Sequence, residues 1–333
     1  MSSRDAILHL LADGALHSGA EVAARLGISR AAVSKALRRA SDELGLEIEC
    51  RRGQGYRLRH PLERLDAARI RAALPDGART RLAHIEVLEA VDSTNTRLMR
   101  AAADGAACGS VCLAERQHAG RGRSGRRWVS PFGANIYLSI LWRYALAPAA
   151  LGGLSLACGV AAARTLRANG VADIGLKWPN DLHWRRRKLG GLLLEVAGES
   201  QGPSHVVVGL GVNLRLSARD ARDIDQPWSD LSRVPGVARP ARNALAAQLI
   251  ASLVGALADY GEAGLAPFLP DWHAFDRYLG EPVEIVTATQ RIAGTVAGID
   301  TDGHLLLDTR EGRRRFHSGE VSLRGGGGSQ ASP

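Results

Sequence analysis

The chain has 333 residues, of which 45% are hydrophobic and 23% charged, and its formal net charge is +9. This length allows two or three domains with separate cores, and the composition predicts a soluble globular protein without a secretory signal. The positive charge predicts anionic partners such as nucleic acid, nucleotides or an acidic protein.

One stretch without charged side chains, residues 144–163, is long enough to be considered as a membrane span. It is rich in Ala and Gly and contains Pro148, so we predict a buried helix and no membrane segment. The cysteines lack the spacing of a metal site and occur without a secretory signal, which predicts reduced, mostly buried thiols in a cytoplasmic protein. They are Cys50, Cys108, Cys112 and Cys158.

Turn residues and changes of pattern divide the chain into three zones and a tail. Residues 1–65 are helical and then hairpin-like, and residues 66–275 alternate β-rich and helical runs. Residues 276–324 consist of short strands separated by turn signals. Residues 325–333 are expected to form a flexible Gly/Ser tail. The pattern predicts an α+β protein with three domains.

The first zone has the pattern of a helix-turn-helix. Ser18 and Glu21 form a capping box for a helix that stops at Gly27. A second helix, residues 30–40, buries its apolar face and displays cations and a hydroxyl outward. This geometry is typical of DNA recognition. The residues of this turn and helix predicted to contact DNA are Ser29, Arg30, Ser34, Lys35 and Arg38.

A basic hairpin follows the second helix. Two strand-like runs, residues 46–50 and 56–58, flank a turn that contains Arg51, Arg52 and two glycines. We interpret the hairpin as the wing of a winged helix, where Arg51 and Arg52 contact phosphates. The alternative is a small helical domain with an ordinary solvated basic face. Clustered cations on a helix beside a wing favour DNA binding.

The strongest chemical signal is an arginine- and glycine-rich loop, residues 117–128. Gly120, Gly122 and Gly125 have the spacing of a dinucleotide-binding fingerprint, but neither the required helix nor the acidic residue follows. The loop carries four arginines within seven residues, and guanidinium groups bind phosphate or carboxylate oxygens. We therefore predict a loop ordered by an anionic ligand; a solvated or RNA-binding basic loop is the alternative.

The chain has only three lysines, and two of them border a strand break at Pro179. Lys177 and Lys188 are compact charges suited to polarising a carboxylate or phosphate under attack. Asp181, in the predicted turn between them, is a candidate to hold Mg²⁺ or to orient Lys177. Its alternative role is that of a simple turn residue.

Two further segments carry weaker signals. Residues 92–95 have the pattern of a helix N-cap, whose free amides can bind an anion or a carbonyl, although capping alone explains the pattern. Residues 206–211 form an apolar strand that leads to Asn213. Glycines in this strand admit the close approach of a ligand or of another backbone.

Taken together, these motifs resemble the bacterial bifunctional biotin–protein ligases that also repress the biotin operon. The resemblance implies a winged helix-turn-helix, a central mixed sheet of the biotin/lipoate ligase type and a C-terminal SH3-like barrel. It spans residues 7–324, and its most specific motifs lie at residues 120–126, 128–135, 177–181, 187–189 and 209–213.

The resemblance implies a two-step reaction that uses ATP, biotin and Mg²⁺. Biotin's carboxylate attacks the α-phosphate of ATP, and the resulting biotinyl-5′-AMP acylates a lysine of biotin carboxyl carrier protein. A homodimer formed with bound biotinyl-5′-AMP is expected to bind operator DNA and to repress biotin synthesis genes. The alternatives are a ligase whose N-terminal domain does not bind DNA, a lipoate or octanoate ligase, and a ligand sensor without catalysis.

Individual roles are carried over by motif match. The expected catalytic residues are Lys188, Arg123, Lys177 and Asp181, and Asp181 is also the expected metal ligand. Biotin is expected to contact Ser93, Thr94, Asn95, Gln117 and Lys188. The adenylate is expected to contact Arg121, Gly122, Arg123, Trp128, Asn180 and Asn213. Ser124 stands where many relatives carry another arginine, which lowers the loop's charge but leaves its anion-binding role in place.

Overall fold

A computed structural model describes residues 3–237, 241–287, 290–317 and 322–325. Three regions follow one another along the chain: a helical region with a small hairpin, a large mixed sheet with helices, and a small antiparallel sheet. The predicted α+β class and the order of the three architectures are confirmed. Apart from Gly325, the predicted Gly/Ser tail lies outside the described residues.

The N-terminal region is a winged helix-turn-helix. Ser18 caps its second helix, since Ser18 Oγ accepts a hydrogen bond from Glu21 N at 3.0 Å, and Gly27 ends that helix with a left-handed φ of 64°. The third helix is longer than predicted because Gly45, also left-handed, terminates it. The elements are α1 (Ser3–Leu11), α2 (Gly19–Leu26), α3 (Arg30–Leu44), β1 (Ile48–Arg51) and β2 (Gly55–Leu58).

The central region is built on a seven-stranded sheet. Its strands are β3 (His84–Leu88), β4 (Ser110–Ala114), β5 (Asn135–Tyr144), β6 (Ile174–Lys177), β7 (Asp181–Trp184), β8 (Arg187–Gly198) and β9 (Ser204–Asn213). The strand order is β3-β4-β5-β9-β8-β7-β6. Only β3 and β4 are parallel, so the sheet is mixed, as predicted.

The helices of the central region cover the sheet. They are α4 (Ala67–Ala73), α5 (Asp76–Arg79), α6 (Thr94–Ala103), α7 (Leu154–Ala168), α8 (Arg242–Ala263) and α9 (Leu269–Phe275). Helix α8 and the helical stretch Pro148–Ala168, which includes α7, are long and apolar enough to cross a membrane, but 56% and 72% of their most apolar windows are buried inside the protein. They pack against each other and the sheet, as core helices do.

The charge-free stretch was only partly predicted. Tyr144 ends β5, a 3-10 helix occupies Pro148–Leu151, and α7 begins at Leu154. The buried helix therefore starts ten residues later than the charge-free stretch, because the end of β5 and the 3-10 helix precede it.

The turn predicted at Asn180–Asp181 is followed by a strand that the sequence pattern did not reveal. Asp181 begins β7, a four-residue strand between the two that were predicted. The hairpin from β7 to β8 turns at Arg185 and Arg186, whose φ values are 47° and 62°. Left-handed arginines are uncommon, so this turn lacks the glycine or asparagine that normally marks one.

The C-terminal region is a five-stranded antiparallel sheet in the order β13-β12-β11-β10-β14. It shares one apolar core with the central region, and the Trp178 indole donates a hydrogen bond to Gly303 O at 3.0 Å. The small barrel predicted from the resemblance is therefore docked on the central sheet. Its strands are β10 (Pro282–Val286), β11 (Arg291–Ile299), β12 (Leu305–Thr309), β13 (Gly312–Phe316) and β14 (Ser322–Gly325).

A buried ion pair fixes the connecting segment, residues 59–66, which joins the first two regions. Arg242 Nη1 lies 2.8 Å from Glu115 Oε2, with side chains that are 2% and 1% exposed. Glu115 Oε1 accepts a hydrogen bond from Leu65 N, and Arg242 Nη1 donates one to Glu63 O, each at 2.6 Å. The connecting segment is thus held between the end of β4 and the start of α8.

The next residue extends this contact to the winged helix. Arg116 Nη1 donates a hydrogen bond to Glu43 O, in the last turn of α3. One short stretch after β4 therefore touches both the connecting segment and the end of α3.

We expect Glu115→Gln to lower the free energy of unfolding by about 3 kcal/mol, because it leaves the buried Arg242 charge without a counter-charge. Urea denaturation followed by tryptophan fluorescence measures this. Arg313→Ala is the control, since it breaks an exposed pair with Asp308, and no resolvable change is expected. Equal effects of the two substitutions would contradict the role given to the buried pair.

Candidate active site and nucleic-acid interface

A pocket lies between the start of α6, the arginine-rich loop and the three consecutive antiparallel strands β6, β7 and β8. Most of the predicted ligase residues line it. They are Ser93, Thr94, Asn95, Gln117, Arg121, Gly122, Arg123, Trp128, Lys177, Asn180, Asp181 and Lys188. Asn213 lies instead in an adjoining smaller pocket, and its amide donates to Ser229 O at 3.1 Å.

Hydroxyl and amide groups form one wall of the pocket. Ser93 caps α6, which places Thr94 and Asn95 at the first helical turn. Gln117 Oε1 accepts hydrogen bonds from Thr94 N at 2.9 Å and from Thr94 Oγ1 at 3.2 Å. Ser139 Oγ, on β5, lies 2.8 Å from Thr94 Oγ1 and 2.6 Å from Asn95 Oδ1. The sequence analysis missed Ser139. The only sign of its role in the sequence was a serine within an otherwise mostly apolar strand.

The glycines of β9 make room for two side chains. A Cβ atom at Gly209 would lie 2.2 Å from Asn95 Oδ1, and one at Gly211 would lie 2.6 Å from the Trp128 ring. We predicted the close approach of a ligand or of another backbone at these glycines, and the structure instead places the side chains of Asn95 and Trp128 there. Any larger residue at either position would displace a side chain of the pocket.

The arginine-rich loop lies against this wall and is anchored by a carboxylate. Arg121 Nη2 is 2.9 Å from each oxygen of Glu195, and Glu195 Oε2 also accepts a hydrogen bond from Asn95 Nδ2 at 2.9 Å. Arg123 is half-buried, and burial lowers its pKa; its Nη1 lies 3.4 Å from Asn180 Oδ1. Glu195 was not predicted as a site residue, although it is the one acidic residue of β8.

Lys188 and Asp181 form an ion pair across the pocket. The Lys188 Nζ lies 2.7 Å from Asp181 Oδ1, and both side chains are 14% exposed. Burial alone would raise the pKa of the Asp181 carboxyl, but the charge of Lys188 holds it well below its usual range. The carboxylate thus remains ionised at neutral pH and fixes the position of the Lys188 ammonium.

Two aromatic rings border the lysines. Lys177 Nζ lies 5.5 Å from the centre of the Tyr278 ring, and Lys188 Nζ lies 5.6 Å from that of Trp128. Tyr278 comes from the C-terminal region and also contacts His183, which is buried behind Asp181. Sequence reasoning missed this pair, because the two residues are far apart in the chain and belong to no motif.

The predicted DNA-binding residues lie on the surface of the winged helix. Ser29 caps α3, since Ser29 Oγ accepts a hydrogen bond from Ala32 N at 3.2 Å. Ser34 is half-buried and accepts a hydrogen bond from Arg38 at 3.3 Å. The other predicted contacts are exposed; they are Ser29, Arg30, Lys35 and Arg38 of the α3 region and Arg51 and Arg52 of the wing.

Three family models match successive parts of the chain. The model of the biotin/lipoate A/B protein ligase family matches residues 87–213. The biotin protein ligase C-terminal domain matches residues 278–324, and a helix-turn-helix domain matches residues 3–57. The matches fall on the central sheet, the small barrel and the winged helix described above.

Similar proteins extend over nearly the whole chain. The bifunctional ligase/repressor BirA of Salmonella typhimurium is 40% identical over 318 residues, 96% of each chain, and that of Escherichia coli is 39% identical over the same share. The solved biotin protein ligase of Aquifex aeolicus in complex with biotin and ATP is 28% identical. Its TM-score is 0.63 over 74% of this chain and 100% of that one. The chain therefore belongs to the family of bifunctional biotin–protein ligases and repressors.

Proposed function

We propose that this protein uses ATP to attach biotin to a lysine of biotin carboxyl carrier protein, and that it represses biotin synthesis genes. The observation that carries the ligase function is the pocket itself. It brings together a wall of hydroxyl and amide groups, a loop of arginines and a lysine held by a buried carboxylate.

In the first step the carboxylate of biotin attacks the α-phosphorus of ATP, and pyrophosphate leaves. Two anions must meet for this reaction, which requires positive charge fixed in a site that is largely shielded from water. Lys188 supplies that charge, and one of its three N–H donors faces Asp181 Oδ1. Lys177 and Arg123 add positive charge around the phosphates.

The polar wall is suited to the biotin head group. A cyclic urea has two N–H donors and a carbonyl acceptor, which amides and hydroxyls can match. We assign biotin to Ser93, Thr94, Asn95 and Gln117, with Lys188 at its carboxylate. The adenylate is assigned to Arg121, Gly122, Arg123 and Asn180 through its phosphate, to Trp128 through its base, and to Asn213 in the adjoining pocket.

Magnesium fits this site as a companion of ATP. Proteins hold Mg²⁺ with one or two carboxylates, and the substrate's phosphates and water complete the shell. Among the described residues that line the pocket, Asp181 is the one carboxylate; its Oδ1 pairs with Lys188 and its Oδ2 lies 3.9 Å from His183 Nε2. We assign the ion to Asp181, where bound Mg²⁺ would neutralise the charge that develops on the phosphates.

In the second step the amine of the carrier's lysine attacks the carbonyl carbon of biotinyl-5′-AMP. An amide bond forms, the bond from that carbon to the phosphate oxygen breaks, and AMP leaves. The arginine-rich loop is suited to keeping the mixed anhydride away from water until the carrier arrives, because its guanidinium groups bind the phosphate.

Repression is assigned to the winged helix acting in a homodimer. In β8, residues 193–198 pair with β9 on one side, whereas no described strand pairs with them on the other. A free strand edge can join two copies of a chain by backbone hydrogen bonds. We propose that this edge supports a dimer when biotinyl-5′-AMP is bound, so that two copies of α3 reach successive half-sites of the operator.

We expect the protein to catalyse exchange of pyrophosphate into ATP with biotin, but not with lipoate or octanoate. The Lys188→Ala variant should lose at least about a hundredfold of this exchange, because it removes charge stabilisation at the reacting atoms. Incorporation of labelled pyrophosphate measures the reaction, with circular dichroism to verify the fold.

The control variant is Lys35→Ala, which removes a lysine on α3 and should exchange normally. Exchange supported only by lipoate would identify the protein as a lipoate ligase. Normal exchange by Lys188→Ala would show that this lysine takes no part in the reaction. Folded wild-type protein that exchanges with no acid would contradict the ligase function.

Arg121→Ala and Arg123→Ala should each release biotinyl-5′-AMP about tenfold faster, because each removes charge-assisted bonds to the phosphate. Rapid gel filtration of protein loaded with labelled biotinyl-5′-AMP measures the release rate. Arg185→Ala is the control, since this exposed arginine lies outside the loop and the pocket and pairs with Asp173 at 3.1 Å. Release rates equal to that of the control would show that the two arginines do not retain the adenylate.

Lys35→Ala and Arg38→Ala should weaken binding to DNA from upstream of biotin synthesis genes and reduce the slope of log affinity against log salt by about 1 each. Mobility-shift assays at several salt concentrations, with biotinyl-5′-AMP present, measure this. Arg39→Ala is the control on the same helix, because Arg39 pairs with Glu43 at 2.6 Å. Wild-type protein that binds no DNA would leave a ligase without a repressor function.

A further inference from the structure

We propose that His183 and Tyr278 are positioning residues for the adenylation step, through which the C-terminal domain holds Asp181 and, with it, Lys188. The proposal rests on the ligase function proposed above. It concerns two side chains that lie behind the reacting groups: His183 faces Asp181, and the Tyr278 ring also borders Lys177.

The geometry of His183 carries the proposal. This side chain of β7 is 5% exposed, and its Nδ1 lies 3.1 Å from the Tyr278 hydroxyl. Its Nε2 lies 3.9 Å from Asp181 Oδ2 and has no hydrogen-bond partner among the described residues. A buried nitrogen without a partner is costly, and the nearest group that could satisfy it is the carboxylate that pairs with Lys188.

The direction of each hydrogen follows from the charges. Nδ1 faces a hydroxyl group and Nε2 faces a carboxylate, so an accepting Nδ1 and a hydrogen on Nε2 suit both sides of the ring. If Tyr278 donates its hydroxyl hydrogen to Nδ1, the ring hydrogen is on Nε2 and faces the Asp181 carboxylate. The opposite tautomer would direct a lone pair at that carboxylate, which is repulsive. The favourable arrangement therefore runs from Tyr278 through His183 to Asp181.

Tyr278 is itself held firmly. Its backbone amide donates to Asp276 Oδ1 at 2.8 Å, and its ring lies 5.5 Å from both Lys177 Nζ and the Arg186 guanidinium. The preceding residue reaches the catalytic sheet, because Arg277 N donates to Leu176 O at 3.4 Å. The Tyr278 hydroxyl is therefore held in place relative to β6 and β7, and its hydrogen bond to Nδ1 orients the His183 ring.

Fixing the Asp181 carboxylate matters because the position of Lys188 depends on it. Asp181 Oδ1 binds the lysine and Oδ2 faces the histidine, so rotation of the carboxylate would move the ammonium. Misplacement of a catalytic charge by about 1 Å can cost a hundredfold in rate. A network that restrains this rotation should act on the chemical step and leave the binding of biotin nearly unchanged.

The experiment measures biotin-dependent pyrophosphate exchange by full-length His183→Phe, His183→Gln and Tyr278→Phe. We expect His183→Phe to lower kcat about tenfold, as loss of a supporting residue does elsewhere. The Tyr278→Phe change should lower kcat about fivefold, because it removes one buried hydrogen bond. His183→Gln should recover most of the activity, since its amide can also direct an N–H at the Asp181 carboxylate. The KM for biotin should stay within about twofold.

Tyr260→Phe is the matched control, because it also deletes a buried tyrosine hydroxyl, one that donates to Ala150 O at 3.0 Å away from the pocket. Calorimetric biotin binding and thermal melting provide readouts that do not depend on turnover. Unchanged kcat in His183→Phe and Tyr278→Phe, or a loss no greater than in Tyr260→Phe, would overturn the proposal. A wild-type enzyme without exchange would instead refute the ligase function.

Discussion

A site that must bind two anions together needs cations that stay charged and keep one position. Lys188 meets this need because Asp181 remains ionised beside it, 2.7 Å away, in a pocket with little access to water. In the short strand β7, Asp181 lies opposite Gly191 of β8, and its side chain reaches Lys188, which is opposite His183. The hydroxyl wall, the arginine loop and the small barrel are all arranged around this pair.

The other two regions contact the central region in different ways. The small barrel approaches the pocket through Tyr278 and through the hydrogen bond from Trp178 to Gly303. The winged helix is joined to the central region by the connecting segment that Glu115 and Arg242 hold. The central and C-terminal regions therefore share one apolar core, whereas the winged helix has a core of its own.

Local signals predicted the parts of this architecture that depend on neighbouring residues. The caps at Ser18 and Ser93 were predictable because a cap and its amide lie three residues apart. The pocket's main residues belong to contiguous motifs and could be predicted for the same reason. Residues such as Glu195 and His183 act through partners 74 and 95 positions away, so no spacing rule reveals them. Strand β7 was missed because two left-handed arginines form its turn.

Residues 115–117 lie between the helix proposed to bind DNA and the pocket wall assigned to biotin, and they contact both. Arg116 donates to the last turn of α3, whereas its neighbour Gln117 bonds to Thr94 in the wall assigned to biotin. A ligand that shifts this stretch changes the free energy of presenting α3 to DNA. Thermodynamic linkage is reciprocal, so the operator must change the affinity for the ligand by the same factor. Occupied DNA would then act as an effector of the biotin site.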